Sequence, residues 1–470
     1  MKTMQILLIN PWVTDFAAYD FWMKPLGLLY VGSFLSARGH TVRLVDCMNR
    51  FQQDRGFDMT GEQHHYGTGK FHREIIEKPD CLSHVPRHFN RYGIQGDLFR
   101  ELVIDGFRPD VVLMTCIMTY WYHGAFEAVR IIHELLPGIP IMLGGIYATL
   151  CPTHARTHSG ADVVITESVP SRIIETVELT GGGKGNRTEV IDHFAVWPEP
   201  LWELYSSLST GSIMTSRGCP MNCTVCASHR LFSGFERCDP EKAFRSILHL
   251  AERGAKDVAF NDDALLLDAE QYAVPLFRKL ADAGAPVRLH SPNGLHVREI
   301  TPEIARLMKQ AGMVTVRLSL ETASVERVKD FSGKVSRDDF RKAVKALFDA
   351  GYTPRDVGAY ILVGLPGQTM EEVLDTIAFT LACGVQVKPA LFSPVPGTVE
   401  FGRAVEVGMI HEKDDPVLHN NTLRTLDFWK EEIPGYKKFR TAVTNANEEL
   451  CKGRGAFDAS KMTHEFKELA

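Results

Sequence analysis

Twice along this chain, short unbroken runs of Val, Ile and Leu alternate with amphipathic stretches of helical spacing. In the first third, 5–10 (QILLIN) is a strand stopped by Asn10-Pro11, and 25–38 (PLGLLYVGSFLSAR) is a helix ended by Gly39. Further strands read at 41–46, 110–116, 140–144 and 162–166, with a helix at 125–136. A strand buried on one face alternates apolar and polar residues; an unbroken apolar run is buried on both. Such runs separated by helices predict a parallel sheet covered on both sides, doubly wound, with ligands at the carboxyl ends of its strands. The rhythm restarts at Ser212, with strands expected at 212–216, 257–261, 287–290, 314–320, 357–363 and 386–392. Helices fit at 240–253, 268–283, 301–311, 336–350 and 369–383. Six βα units predict a partial (β/α)6 barrel of the TIM type, with its functional residues at the strand C-terminal ends.

The fold class expected is therefore α/β: a Rossmann-like doubly wound domain at 1–180, a linker at 181–210, a partial barrel at 211–405 and a small helical region at 406–470. The linker contains 181–187 (GGGKGNR), flexible by composition, and 194–205 (FAVWPEPLWELY), an aromatic bridge packed on one or both domains. Residues 50–100 break the rhythm. They carry His64, His65, His72, His84 and His88 without periodicity, and read as a surface excursion or a substrate-covering loop. Adjacent His64 and His65 cannot share one face of a helix or strand, so a metal site there is weakly supported.

The net charge of -6 argues against a sequence-blind nucleic-acid binder. No run of eighteen apolar residues occurs, so no membrane span is expected. The N-terminal apolar run is short for a signal peptide, and a cytoplasmic protein is the expectation. Ten cysteines scattered from Cys47 to Cys451 do not form a dense disulfide framework.

Three of the ten fall within eight residues, in Arg217-Gly218-Cys219-Pro220-Met221-Asn222-Cys223-Thr224-Val225-Cys226, directly after the first strand of the second series. Thiolates hold iron–sulfur clusters, and close spacing lets one loop supply several. Three ligands for four irons leave one iron open, and an open metal position marks catalysis rather than structure. Such an iron can chelate the amino and carboxylate groups of a methionine moiety. A zinc site or a purely structural cluster would need a fourth ligand, for which Cys238 and His229 are nearest.

The three-cysteine loop after a first barrel strand strongly resembles that of the radical S-adenosylmethionine (SAM) superfamily, over about 210–405. The resemblance implies a 4Fe-4S cluster on Cys219, Cys223 and Cys226. It also implies reductive cleavage of SAM to a 5′-deoxyadenosyl radical and an electron donor such as ferredoxin or flavodoxin. Asn261-Asp262-Asp263 stands where the family contacts the methionine amino group. It departs from the usual Gly-Gly-Glu, so the ligand among the three stays open. An ammonium needs acceptors; the same residues also suit a helix N-cap. Asn293 ends the third unit, facing ribose or substrate. Ser319 and Glu321 end the fourth strand, Glu321 serving SAM or pairing with Arg317 or a neighbouring lysine. Gly364, in Gly-Leu-Pro-Gly, and Pro394, in Ser-Pro-Val-Pro-Gly-Thr, correspond to adenine-contacting turns; both also fit ordinary turns.

A doubly wound domain directly before such a barrel is similar to the cobalamin-binding subclass. The echoes are Asn10 and Pro11, 25–28 (PLGL), Thr115 and Thr119, Gly144 and Gly145, and 147–149 (YAT). Small residues at strand ends would admit a flat macrocycle, and hydroxyls would bind its amides. Ile165-Thr166-Glu167-Ser168 departs from the subclass's Gly-Glu-Gly-Glu. The Asp-x-His-x-x-Gly sequence that supplies a cobalt-ligating histidine is absent, and a group near Tyr120, Trp121 or Tyr122 would cover that face. A domain that only shapes the substrate cavity is the other reading. The resemblance implies methylation of an unactivated carbon of a small-molecule, lipid or peptide substrate. Rearrangement or cyclisation with the same cofactors, and a non-catalytic cluster protein, are the alternatives.

Overall fold

The computed structural model describes residues 2–51, 63–331, 335–423 and 433–453. Its first sheet consists of β1 (Gln5–Asn10), β2 (Thr41–Asp46), β3 (Val111–Thr115), β4 (Ile141–Gly144) and β5 (Val163–Val164), all parallel in the order β5-β4-β3-β1-β2. Ile6, Leu7, Leu8 and Ile9 are wholly buried, and strand alternation divides them. Ile6 and Leu8 pack with α1 (Leu26–Ala37) and α4 (Pro170–Thr180). Leu7 and Ile9 pack with α2 (Gly96–Ile104) and α3 (Tyr122–Leu135). The strand expected over 162–166 keeps two paired residues; Ile165-Thr166-Glu167-Ser168 leaves the sheet toward the barrel.

The described part of the excursion is not a bare loop. Val13–Asp15, Phe89–Tyr92 and Arg73–Ile76 form a three-stranded antiparallel ribbon, and Tyr19–Asp20 pairs with Gly69–Lys70. Strands of two to four residues are too short to show a period. Residues 52–62 lie outside the described residues. Nor is the stretch 181–187 slack. The Lys184 and Asn186 amides donate to Lys2 O (3.0 Å) and Arg38 O (2.8 Å), and a Cβ on Gly183 would sit 2.2 Å from Met4 Cγ. These glycines permit close packing, where composition alone reads flexibility. Phe194, Trp197, Trp202 and Tyr205 are buried in one core with Tyr30 and Phe34 of α1 and with barrel helices, and so bridge the two domains.

The second sheet is β6 (Thr210–Ile213), β7 (Asp257–Phe260), β8 (Arg288–His290), β9 (Met313–Glu321), β10 (Val357–Val363) and β11 (Gln386–Leu391), parallel and in sequence order. Around it run α5 (Pro240–Glu252), α6 (Ala273–Asp282), α7 (Pro302–Gln310), α8 (Arg337–Asp349), α9 (Met370–Ala382) and α10 (Val399–Glu406). Five of the six start at a side-chain cap: Asp239, Thr301, Ser336, Thr369 and Thr398. The edge strand β11 is covered by α11 (Ile433–Lys452), whose Asn447 accepts from the Val387 amide (2.8 Å) and donates to its carbonyl (2.9 Å).

The barrel floor is filled from the first domain. The Trp22 ring stacks on His290 with centroids 4.0 Å apart, and Tyr66 lies 5.3 Å from the same imidazole. Ser212, facing into the barrel, donates to the Trp22 carbonyl. No described helix is long and apolar enough to cross a membrane.

Candidate active site

The cysteine loop leaves β6 and is bracketed by a two-residue ribbon, Ser216–Arg217 against Glu236–Arg237. Gly218 has φ +78°, and a Cβ there would lie 1.9 Å from Gly234 O, so only glycine fits. Cys219, Cys223 and Cys226 are half-buried at the mouth. The Cys226 amide donates to Cys223 O (3.0 Å), and the Ser228 amide to Cys226 Sγ (3.4 Å). Burial, then Asp263 and the other two thiols, push the Cys226 thiol up. A cationic centre would reverse this and hold the thiolate.

The alternative fourth ligands do not join them. Cys238 lies in the helix-side core, 3.5 Å from Tyr272 Oη, and His229 is exposed on the turn 228–231. Among the described residues no three His, Cys, Asp or Glu side chains converge as on a single ion. A four-iron cube uses one thiolate per iron, and three thiols on one loop suit such a cluster.

The residues of 261–263 have different surroundings. Asp262 is buried, and its Oδ1 accepts from the Thr215 amide (2.9 Å) and hydroxyl (2.7 Å) and from the Ser216 amide (2.5 Å) and hydroxyl (2.6 Å). Its Oδ2 has no protein partner, and burial pushes its pKa up to about 6. Asp262 thus braces the backbone at 215–216, where the chain leads into the cysteine loop. Asp263 accepts from the Ser228 hydroxyl (2.6 Å) and, with Asn261, lines a cavity of about 480 Å³ beside Cys226 and Gly218.

The other expected barrel positions lie off that cavity. Asn293 donates to Asp262 O (3.1 Å). Ser319 and Glu321 border a hollow of about 10 Å³ with Phe331 and Val335. Glu321 has φ +67° at a bulge in β9, a conformation costly for a residue with a Cβ. The Arg317 guanidinium turns to the Val316 and Asp356 carbonyls. The Gly364 amide donates to Gln368 Oε1 (2.8 Å), closing a turn. Pro394 is buried, and its neighbour Val395 reaches the cavity.

From the first domain, Asn10, Pro11 and Thr115 border a second hollow of about 160 Å³ with Trp12, Lys24, Trp121 and Asn261. Asn10 also donates to Asp46 (2.6 Å). Thr119, with Met118, Ile146 and Leu150, lines the larger cavity, and its hydroxyl shares a hydrogen with His419 Nδ1 (3.0 Å). Gly144 and Gly145 border neither hollow. Gly145 has φ +91°, and a Cβ on it would meet Thr115 Oγ1 at 2.5 Å, so only glycine fits this close approach. Of the aromatic trio, Trp121 reaches the hollow, Tyr120 is buried and Tyr122 donates to Asp415 (2.6 Å).

Both hollows contain Asn261, and residues 115–119 run from one to the other. The strand ends of the doubly wound sheet and the cysteine loop therefore border one cleft between the domains. Its walls are largely apolar, with few polar groups, as cofactor sites are. Sequence reasoning missed Arg217, whose guanidinium lies between the Trp197 and Phe232 rings (4.9 and 4.8 Å) and donates to Ser168 O (2.5 Å). Ser168 donates back to Leu231 O (2.8 Å). The departure from Gly-Glu-Gly-Glu is thus a docking contact with the cysteine loop.

The family model of the radical SAM superfamily matches residues 213–380, and that of the B12 binding domain matches residues 98–170. The chain is 26% identical over 330 residues to an uncharacterized methyltransferase, PH0819, of Pyrococcus horikoshii, covering 63% of this chain and 69% of that one. It is 20% identical over 480 residues to the cytidylyl-2-hydroxyethylphosphonate methyltransferase of Streptomyces wedmorensis, covering 87% and 83%. In fold it is similar to the radical SAM methyltransferase TsrM of Kitasatospora setae, with a TM-score of 0.62 and 16% identity over 84% of this chain and 75% of that one. Residues 213–380 thus form a radical SAM domain, preceded at 98–170 by a B12 binding domain.

Proposed function

We propose that the protein is a cobalamin-dependent radical SAM methyltransferase acting on an unactivated carbon of a small molecule. One observation carries the reading: Gly218 and Cys226 of the cysteine loop line the same cavity as Met118, Thr119, Ile146 and Leu150, which follow strands of the doubly wound sheet. When bound, the cluster and the corrinoid supply the electron that cleaves SAM and the carrier for a methyl group.

The chain's own residues bind, orient and exclude water. Cys219, Cys223 and Cys226 hold the cluster. Asp263 and Asn261 accept the hydrogens of the methionine ammonium, a charge-assisted contact. Asp262 acts one layer back, keeping the 215–216 backbone where the cysteine loop begins. Met118, Ile146, Leu150, Phe232 and Val395 dry the cavity, which protects a reactive radical from quenching. Thr115 and Thr119 present hydroxyls to the macrocycle's amides. The half-exposed cysteine loop is open to a small electron-transfer protein such as ferredoxin or flavodoxin. Methyl-labelled SAM tests the reading: label in the product is expected, whereas a product without it points to rearrangement or cyclisation.

A further inference from the structure

Inside the lower barrel, away from the cleft, two cationic side chains pack over one glycine. Arg317 of β9 and Lys388 of β11 flank β10, where both lie against Gly358: a Cβ there would meet Lys388 Cγ at 3.0 Å, Lys388 Cε at 3.1 Å and Arg317 Nη1 at 3.4 Å. Among the described residues, neither has a carboxylate partner. Arg317 donates to the Val316 and Asp356 carbonyls (3.1 and 3.5 Å), and Lys388 to Gln386 Oε1 (2.8 Å). The nearby acids are committed elsewhere. Asp257 is held by Arg288 (2.7 Å) and His290 (2.9 Å), and Asp356 accepts from the Thr353 amide and hydroxyl and faces Lys309. Burial, then Arg317, bring Lys388 down to about 8, and burial lowers Arg317 as well.

Two like charges partly drawn out of water in the same place are costly unless an anion joins them. A guanidinium fork beside an ammonium suits an oxyanion with two or three acceptor oxygens. Tyr360, two residues above Gly358 on the same inward face, donates to Pro292 O (2.7 Å) and continues the polar wall upward. Arg317 lies four residues below Glu321, about 13 Å along the strand. An anion held at this level lies within the length of a small molecule from the strand tops.

We infer that Arg317 and Lys388 form the seat for an anionic group, carboxylate or phosphate, of the substrate. The inference rests on the proposed function only in calling the ligand a substrate. Calorimetric titration of the anaerobically reconstituted protein with inorganic phosphate and with malonate, at constant ionic strength, tests it. Saturable binding of at least one anion is expected, weakened tenfold or more in Arg317→Gln and Lys388→Met and retained in Lys388→Arg, with cluster absorbance as the control for folding. Because the pair is uncompensated, Lys388→Met should melt higher than wild type without anion, and anion should raise the wild-type melting temperature. Absence of saturable binding, equal binding by the variants, or a lower melting temperature of anion-free Lys388→Met would each overturn the assignment. SAM cleavage is read separately. Anion binding without cleavage sinks the proposed function and leaves the seat; cleavage without anion binding does the reverse.

Discussion

Asp262 and Asp263 are adjacent in sequence, yet one carboxylate is turned into the protein and the other toward the cavity. Asp262→Ala strips the acceptor from two amides and two hydroxyls in a buried place, a cost of about 3 kcal/mol. A lower unfolding midpoint and reduced iron content are expected. Asp263→Asn should retain both, and weaken SAM binding by about tenfold, roughly 1.4 kcal/mol, in equilibrium dialysis of the reconstituted protein. Asp262 also has a pH signature. Its folded pKa of about 6 exceeds the unfolded value of 3.8, so the folded state holds its proton more tightly. That contribution to stability is full below about pH 4 and is lost as pH rises through 6. Urea midpoints of the apoprotein between pH 4.5 and 7 should move in favour of wild type over Asp262→Asn as pH falls. The triplet at 261–263 was legible as a motif. The role of each residue was not, because the long-range bonds to Thr215 and Ser216 decide it.

The strands legible from sequence were those buried on both faces. Gln5–Asn10 and Val357–Val363 carry apolar runs long enough to show their burial, whereas Tyr19–Asp20 and Gly69–Lys70 have two residues each. Glycine at 183 and 185 signals flexibility by composition, and here marks sites where backbone meets backbone or side chain. The segment holding Trp22 shows what such unreadable elements do: it fills the barrel floor and holds Trp22 at φ +64° against His290. Trp22→Ala should cost about 3–5 kcal/mol through the cavity left behind, seen as a lower urea midpoint. A loss under 1 kcal/mol would mean that the ring is not part of the barrel core.

At the scale of the molecule, the cleft exists because the two domains are tied on both sides of it. Arg217 and Ser168 join them on the cysteine side. On the other, residues 415–420 run against the first domain: Asp415 accepts from Tyr122, His419 meets Thr119, and Asn420 donates to Asp15 (2.9 Å), which also accepts from Trp121 (2.7 Å). Ser393 at the end of β11 donates to His419 O (2.6 Å), anchoring this strap to the barrel. Asn420→Ala should loosen the strap and reduce cobalamin retained after desalting, with the iron content unchanged; full retention would show that the strap does not shape that site. The two-domain plan was legible from the repeated rhythm of the sequence. The strap was not, because its residues meet partners about three hundred or more positions away.

The proposed function requires that three thiolates present an open iron to SAM within this cleft. The most direct measurement is anaerobic reconstitution of wild type and of the Cys219→Ala/Cys223→Ala/Cys226→Ala variant, followed by reduction with SAM. Iron–sulfur absorbance and release of 5′-deoxyadenosine are expected of wild type, and neither of the variant. Wild type without the chromophore, or a variant that still releases 5′-deoxyadenosine, would contradict it.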